Sequence, residues 1–220
     1  MTFFFASTLV FSKPRPMPFP TQLCFASNNA HKLDEIRPLL PPGLALLSLA
    51  DIGCHEELPE TQDTLEGNAR QKAEYVRQHY GVDCFADDTG LEVTALHGAP
   101  GVYSARYGGP QRLATDNTAK LLRELAHAPD RTARFRTVVA LATLDGAVRE
   151  FAGEVAGHIT ETGRGTGGFG YDPVFVPSEG DGRTFAEMSG PEKNRISHRA
   201  RAVAGLTHYL AQAEEQAAGS

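Results

Sequence analysis

Apolar and polar residues are arranged along the chain in blocks that predict strands and helices in alternation. Three short apolar runs, residues 22–26, 44–49 and 82–87, have the length and composition of buried strands. The segments between them place apolar residues three and four positions apart, as amphipathic helices do. Asp63 and Glu66 have the spacing of a capping box at the start of the second helix. The apolar face of that helix consists of Leu65, Ala69, Ala73, Val76 and Tyr80.

The second half of the chain has a different pattern. Two longer strand-like segments, residues 134–144 and 147–160, meet around Asp145-Gly146, which is a strong hairpin signal. Strands that first alternate with helices and then form a hairpin predict an α/β fold with a mixed sheet. The other predicted elements are a helix over 111–126, a Gly-rich loop over 163–170, a strand over 173–176 and a helix from about Ser197.

The composition narrows the function. Of the 220 residues, 41% are hydrophobic and 22% are charged, which is typical of a globular protein. The net charge of −6 argues against a nucleic-acid partner, because such proteins normally present a basic face. A polyanionic ligand would therefore need a local cationic cluster or a metal ion. The three cysteines have no CxxC spacing. Cys24 and Cys84 lie in apolar strand-like runs and are typical of core residues in a reducing compartment, so we expect a cytoplasmic protein.

Residues 1–20 are predicted to be an extension outside the fold, and residues 21–220 to form a single domain. The apolar stretch from Phe3 to Phe11 is too short to span a membrane, so we expect no membrane partner. No basic residues precede it, as they would in a secretory signal. Four prolines between Pro14 and Pro20 prevent a continuous helix, and Met17 is an alternative start.

Two adjacent carboxylates, Asp87 and Asp88, end the third apolar run and precede Thr89. Neighbouring side chains of a strand point to opposite faces, so we expect one acid to face a cleft and the other to hold a turn. A polar turn with no further role would explain this composition equally well. Mg²⁺ characteristically binds one or two carboxylates and completes its shell with water and phosphate oxygens, and Glu60 with Asp88 would suffice.

A phosphate site is predicted between the first strand and the first helix. Ser27, Asn28 and Asn29 form a polar turn there, and backbone N–H groups at a helix start suit a phosphate. Lys32, one turn into the helix, could reach the same anion, although a simple Asn or Ser cap is an alternative. Lys72 lies next to the apolar face of the second helix, where burial of its stem is the usual explanation.

The Gly-rich loop has nearly the glycine spacing of a dinucleotide-binding turn. It leads into a strand rather than a long helix, which argues against a Rossmann fold. Phe169, flanked by glycines, suits the stacking of a base, and a flexible hairpin loop is the alternative. Lys193, His198 and Arg199 place cationic groups around the start of the last helix, where acids are expected. A ligand with acceptors or negative charge at this position would explain them.

Together these segments resemble the inosine triphosphate pyrophosphatase family. The resemblance runs in order from about residue 22 to about residue 211. Two departures from the usual family pattern, Ser-Asn-Asn in the first motif and Thr89 after the acidic pair, keep hydroxyl and turn chemistry. The segments that carry the resemblance are ASNNAHKLDEI, LPETQDTLEGNARQKA, ADDTGLEVTALHGAPGVYSARY, GFGYDPVF and FAEMSGPEKNRISHRARA.

The resemblance implies an elongated mixed α/β fold, in which helices flank a central sheet and two lobes enclose a substrate cleft, and a homodimer. It implies Mg²⁺-dependent hydrolysis of ITP, dITP and XTP to the monophosphate and pyrophosphate, which keeps these nucleotides out of DNA and RNA. Asp88 would be the general base, and Glu60 and Asp88 would bind the metal. The implied substrate-binding residues are Ser27, Asn28, Asn29, Ala30, His31, Lys32, Lys72, Thr89, Phe169, Gly170, Tyr171, Asp172, Lys193, His198 and Arg199.

In this hypothesis, Asp88 orients or deprotonates a water that attacks the α-phosphorus, and Lys32 and Lys72 neutralise the departing pyrophosphate. Arg199 is a candidate donor to the purine 6-oxygen, which would exclude the 6-amino group of ATP. Two other functions stay open: a Maf-like pyrophosphatase of other modified nucleotides, and a catalytically silent nucleotide-binding module. A Rossmann-type oxidoreductase fits less well.

Overall fold

The computed structural model describes residues 21–218. Its seven-stranded sheet has the order β2-β1-β3-β5-β6-β7, and β4 pairs with β3. The strand β1 is parallel to β2 and β3, and the other recorded pairings are antiparallel, so the predicted mixed α/β fold is confirmed. The strands are β1 (Gln22–Phe25), β2 (Ala45–Leu47), β3 (Cys84–Val93), β4 (Pro100–Gly101), β5 (Thr132–Ala142), β6 (Val148–Ile159) and β7 (Phe175–Pro177).

Helices cover both faces of the sheet. Within residues 21–218, no helix is both long and apolar enough to cross a membrane. The helices are α1 (Ala30–Ile36), α2 (Leu65–Tyr80), α3 (Ala114–Glu124), α4 (Gly190–Asn194) and α5 (His198–Ala218).

The predicted extension at residues 1–20 lies outside the described residues, so its assignment stays a prediction.

The long strands β3, β5 and β6 join two lobes. At one end of these strands, α2 packs on one sheet face around Ala86 and Ala140, and α1 and α5 pack on the other face around Phe85. At the other end, a separate core forms around Phe135. The predicted core cysteines Cys24 and Cys84 are buried and unpaired, and so is Cys54. The middle of β3 therefore runs between two cores, and this is where the acidic pair lies.

The prediction that Asp87 and Asp88 end a strand at a turn is wrong. The strand β3 continues to Val93, and its pairing with β5 is uninterrupted. Gly90 suits a strand here because a Cβ at this position would lie 2.8 Å from the carbonyl oxygen of Gly101, in the neighbouring strand β4. The two acids do not mark a turn. They can lie within the strand because side chains from the surrounding helices balance their charges.

The predicted capping box at Asp63 and Glu66 is also wrong. Thr64 has the extended backbone of an N-cap, and its hydroxyl accepts a hydrogen bond from the Gly67 N–H at 3.0 Å. Asp63 lies one residue too early to reach that group. Glu66 instead forms an ion pair with Arg136 of β5. The predicted apolar face of α2 is buried against the sheet, apart from the half-buried Tyr80 at its end.

Candidate active site

A cavity of about 610 Å³ opens between the two lobes, beside the middle of β3. The structure brings nearly all of the predicted site residues into its wall. Ala30 is the exception: it lies exposed at the start of α1. The predicted residues that line the cavity are Ser27, Asn28, Asn29, His31, Lys32, Glu60, Lys72, Asp88, Thr89, Phe169, Gly170, Tyr171, Asp172, Lys193, His198 and Arg199.

Lys72 joins the two carboxylates predicted to bind a metal. Its Nζ lies 2.7 Å from Glu60 Oε1 and 3.5 Å from Asp88 Oδ1, and it also donates to the backbone carbonyl oxygen of Asp87. Burial alone would lower the pKa of Lys72, but the carboxylates of Asp88 and Glu60 outweigh burial and raise it. Lys72 is therefore a buried, protonated lysine with acidic partners, rather than a packed stem with a solvated head.

Asp88 points to the α2 side of the sheet and is mostly buried. Burial raises the pKa of its carboxyl above the usual range, although Lys72 and Lys32 oppose this shift. Its second oxygen, Oδ2, accepts a hydrogen bond from the side chain of Asn68 at 3.3 Å. A buried carboxylate with a raised pKa is suited to accept a proton.

Asp87 points the opposite way, toward α1 and α5, and is fully buried. Its two oxygens accept from Lys32 Nζ at 2.8 Å and from Arg199 Nε at 3.1 Å. Burial alone would raise the pKa of Asp87, but these two cations outweigh it and hold the pKa well below its usual range. The sequence correctly predicted opposite faces for the two acids, but Asp87 holds two cationic side chains and not a turn.

The ion pairs continue from Asp87 into a chain of alternating charges. The Arg199 guanidinium also binds Glu35, and the other oxygen of Glu35 accepts from Lys193 at 2.7 Å. Lys193 in turn donates to Asp172 at 2.5 Å. This buried chain runs from Lys32 to Asp172 and links the predicted phosphate-binding residues to the predicted base-binding residues.

The depressed pKa of Asp87 gives a pH prediction. Its folded-state pKa lies below the unfolded value of about 3.9, so the ionised carboxylate stabilises the fold above that pH. This contribution is lost as the pH falls toward the folded-state pKa. We expect the difference in unfolding free energy between wild type and Asp87→Asn, measured in urea, to be constant near neutral pH and to shrink below about pH 4. A difference that grows in acid would contradict this pairing.

An aromatic group forms the predicted base-binding part of the cavity. Phe169 stacks on His31, with ring centroids 5.4 Å apart, and the Lys193 ammonium lies 5.0 Å from the Phe169 centroid. A second cavity, of about 660 Å³, shares these three side chains. Phe169 therefore has open space around it, as a stacking platform requires.

His198 is buried nearby and stacks on Phe135, with centroids 4.5 Å apart. Burial and the adjacent cations Arg199 and Lys193 hold its pKa well below the usual value, so the imidazole is neutral. Among the residues that the structure describes, its Nδ1 is the one buried side-chain N or O atom without a hydrogen-bond partner. A polar atom left in this way in a cavity wall is a candidate contact for a ligand.

The Gly-rich loop is closed by Asp172, whose Oδ2 accepts from the Phe169 N–H at 2.8 Å. Gly168 has φ of 66°, and a Cβ there would collide with the Asp172 carboxylate. The loop then enters a short 3₁₀ turn at Asp172–Val174 and strand β7. This path agrees with the prediction that the loop is not a Rossmann turn.

The polar turn before α1 has an ordered structure. Asn29 caps the helix by accepting from the Lys32 N–H at 3.3 Å, and the Ser27 hydroxyl accepts from the Asn29 N–H at 3.2 Å. The first N–H groups of a helix have no partner within the helix, so the turn leaves donors for an anion beside Lys32. The cap that the sequence suggested as an alternative is thus present together with the cavity.

Two arginines in the cavity wall were not predicted from the sequence. Arg112 forms an ion pair with Glu57 at 2.9 Å, and Arg106 lies 3.9 Å from Glu60. Both arginines belong to the segment after β4, and both acids belong to the loop before α2. These pairs place two further cations in the cavity wall.

Glu60 and Asp88 are the candidate ligands for a metal ion. Within residues 21–218, no group of three or more His, Cys, Asp or Glu side chains is arranged to hold a metal. Glu60 and Asp88 nevertheless share the Lys72 ammonium, so two carboxylates face one small volume. Mg²⁺ needs no more than this from a protein when a substrate supplies phosphate oxygens, and the residues therefore fit Mg²⁺.

The chain is similar to known proteins over most of its length. The model of the Ham1 family matches residues 23–209. A dITP/XTP pyrophosphatase of Flavobacterium johnsoniae is 54% identical over 189 residues, which cover 86% of this chain and 97% of that protein. One of Porphyromonas gingivalis is 54% identical over 190 residues, with coverages of 86% and 97%.

A solved structure leads to the same family. The Ham1 protein of Staphylococcus aureus superposes with a TM-score of 0.79 and is 35% identical, covering 87% of this chain and 98% of that one. The resemblance on which the fold and function were predicted is thereby confirmed. Since the family model and these relatives each extend over most of its length, the chain belongs to the Ham1 family.

Proposed function

We propose that this protein hydrolyses dITP, ITP and XTP to the nucleoside monophosphate and pyrophosphate in the presence of Mg²⁺. The arrangement of the cleft carries the proposal. Its wall contains a cluster of two carboxylates and a lysine beside β3, and an aromatic platform with an unpartnered histidine nitrogen beside α5. A nucleoside triphosphate has the matching parts, a polyanionic end and an aromatic base.

In the proposed reaction, Asp88 takes a proton from a water molecule whose oxygen attacks the α-phosphorus. The bond from this phosphorus to the bridging oxygen breaks, and pyrophosphate leaves. Asn68 and Lys72 hold the two oxygens of Asp88 in place. Lys72 and Lys32 offset the charge of the triphosphate, because phosphoryl transfer is mainly positioning and charge stabilisation. Mg²⁺, held by Glu60 and Asp88, would neutralise further phosphate charge.

Base selection is assigned to the pocket around Phe169 and His198. The unpartnered Nδ1 of the neutral His198 imidazole can donate to the 6-oxygen or accept from the N1–H of a 6-oxopurine, depending on its tautomer. The hypothesis that Arg199 reads the 6-oxygen has less support, because this guanidinium already donates to Asp87, Glu35 and Thr89. Its charge stays close to the base, with Cζ 5.6 Å from the Phe169 centroid.

The reaction is tested by incubating the protein with ITP, dITP, XTP, GTP or ATP and Mg²⁺, and by assaying pyrophosphate and orthophosphate separately. We expect pyrophosphate from the first three nucleotides and little from GTP or ATP. Chelation of the metal should stop the reaction, and excess Mg²⁺ should restore it. In ¹⁸O-labelled water, attack at the α-phosphorus places the label in the monophosphate.

Any other outcome would point to a different mechanism or a different function. Release of orthophosphate would mean attack at the γ-phosphorus and would contradict the mechanism. Label in the pyrophosphate would mean attack at the β-phosphorus. Binding of ITP without turnover would support the catalytically silent module, and turnover restricted to modified pyrimidine nucleotides would support the Maf-like alternative. The homodimer and the cytoplasmic location stay predictions.

A further inference from the structure

Asn68 is a buried polar residue to which neither the motifs nor the resemblance assigned a role. It lies in the second turn of α2 with 1% of its surface exposed. A buried amide must have its donors and acceptor satisfied, and the partners of Asn68 are informative. They belong to the two segments that carry the carboxylates predicted to bind the metal.

The two ends of the Asn68 amide contact different segments. Nδ2 donates to Asp88 Oδ2 at 3.3 Å, and Oδ1 accepts from the backbone N–H of Gln62 at 2.9 Å. The orientation of the amide follows from its partners, because a backbone N–H can only donate and a carboxylate can only accept. Gln62 is two residues from Glu60 in the loop before α2, here called the Glu60 loop. One planar group therefore sets the separation of this loop from Asp88.

Asn68 and Lys72 both link the Glu60 loop to Asp88, but they differ in charge. They are four residues apart and therefore lie on the same face of α2. Lys72 contacts Glu60 and Asp88 through a positive charge, which competes with any cation for the same oxygens. Asn68 orients Asp88 without neutralising it, so its contact can persist when a cation is bound.

The Glu60 loop is tightly packed against the start of α2. A Cβ at Gly67 would lie 2.7 Å from Gln62 Cβ, so the loop crosses the first helical turn at close contact. Gln71 also holds the loop, accepting from the Thr61 N–H at 3.0 Å and donating to the Thr61 hydroxyl at 2.9 Å. Unlike Asn68, the Gln71 side chain hydrogen-bonds to the loop and not to Asp88.

We propose that Asn68 is a positioning residue that fixes Glu60 and Asp88 at the separation needed to bind a divalent cation. This inference rests on the proposed function, because it takes these two carboxylates as the metal ligands. Residues that orient ligands without touching the metal commonly change metal affinity by about 10–100-fold when they are replaced. Asn68 is expected to have an effect of this size.

The test is direct binding of Mn²⁺ to the nucleotide-free protein. The concentration of free Mn²⁺ is measured from its electron paramagnetic resonance signal. We expect Asn68→Ala to raise the Mn²⁺ dissociation constant by about 10-fold or more. Asn68→Ser removes the same amide with less loss of polarity, and serves if the alanine variant does not fold. Thermal unfolding without metal shows how much of each effect is structural.

Gln71→Ala is the matched control, because it loosens the same loop without touching Asp88. Its unfolding temperature is expected to fall, while its Mn²⁺ dissociation constant stays within about twofold of wild type. This change is much smaller than the one expected for the Asn68 variants. Equal Mn²⁺ affinities in Asn68→Ala, Asn68→Ser and wild type would overturn the proposal. So would equal losses of affinity in the Asn68 and Gln71 variants.

The proposed metal site itself is tested separately with Glu60→Gln and Asp88→Asn. If these two variants lose Mn²⁺ affinity and the Asn68 variants do not, the positioning role fails and the metal site stands. If Glu60→Gln and Asp88→Asn bind Mn²⁺ as tightly as wild type, the metal site fails, and the positioning role fails with it.

Discussion

Asp88→Asn is expected to lower the turnover number for ITP by a factor of at least about 10²–10⁴, because it removes the proposed general base. Loss of a metal ligand would add to this effect. The fold should tolerate the change, since burial raises the pKa of Asp88 and its ionised form is therefore not favoured by folding. The KM for ITP is expected to change far less than the turnover number.

The measurement is steady-state pyrophosphate release over a range of ITP concentrations, together with thermal unfolding of the same samples. Asp181→Asn makes the same chemical change at an exposed carboxylate paired with Arg183, and serves as the control. A turnover number for Asp88→Asn close to that of wild type would refute the assignment of the base. A large fall in unfolding temperature would show that lost activity reflects lost structure.

Asp87→Asn should reduce mainly the stability of the protein, whereas Asp88→Asn should reduce mainly its turnover number. The carboxylate balances the buried Arg199 and also Lys32, whose side chain is 16% exposed at the cavity wall. Removing one partner of a buried ion pair leaves an uncompensated charge and typically costs about 3–5 kcal/mol. We expect the free energy of unfolding to fall by about that amount. Turnover by the remaining folded protein should fall less than in Asp88→Asn.

The two variants control each other, because they change adjacent residues of one strand in the same way. Urea unfolding gives the free energy of each, and its denaturant dependence should match that of wild type if the folded states are equally compact. Similar small losses of stability in both variants would contradict the assigned ion pairs. So would a loss in Asp88→Asn that exceeds the loss in Asp87→Asn.

Much of the fold could be predicted from the sequence, because hydrophobic period and turn composition are local signals. The hairpin around Asp145-Gly146 and the face of α2 are examples. Several cleft residues were instead implied only by the family resemblance, among them His31, Thr89, Gly170, Tyr171 and Asp172. The course of β3 through Asp87 could not be predicted, because Asp-Asp-Thr-Gly has the composition of a turn. The strand can carry a buried Asp87 because Lys32 and Arg199, distant in sequence, balance its charge.

Glu35 and Asn68 show which site residues escaped prediction. Each lies on a helix three or four residues from a lysine that was identified, Lys32 for Glu35 and Lys72 for Asn68. Polar residues at this spacing share a helix face. Their spacing from a predicted ligand could therefore have identified Glu35 and Asn68 as further site residues. Their partners across the cleft come from other elements, and no local pattern encodes those contacts.

The strands β3, β5 and β6 also bear on how the molecule unfolds. Each contributes side chains to the packing of both lobes, so neither lobe can lose its part of the sheet while the other stays intact. The protein should therefore behave as one cooperative unit, although its shape suggests two. Because the acidic pair lies on the shared middle of β3, melting of the sheet should abolish nucleotide binding and hydrolysis together.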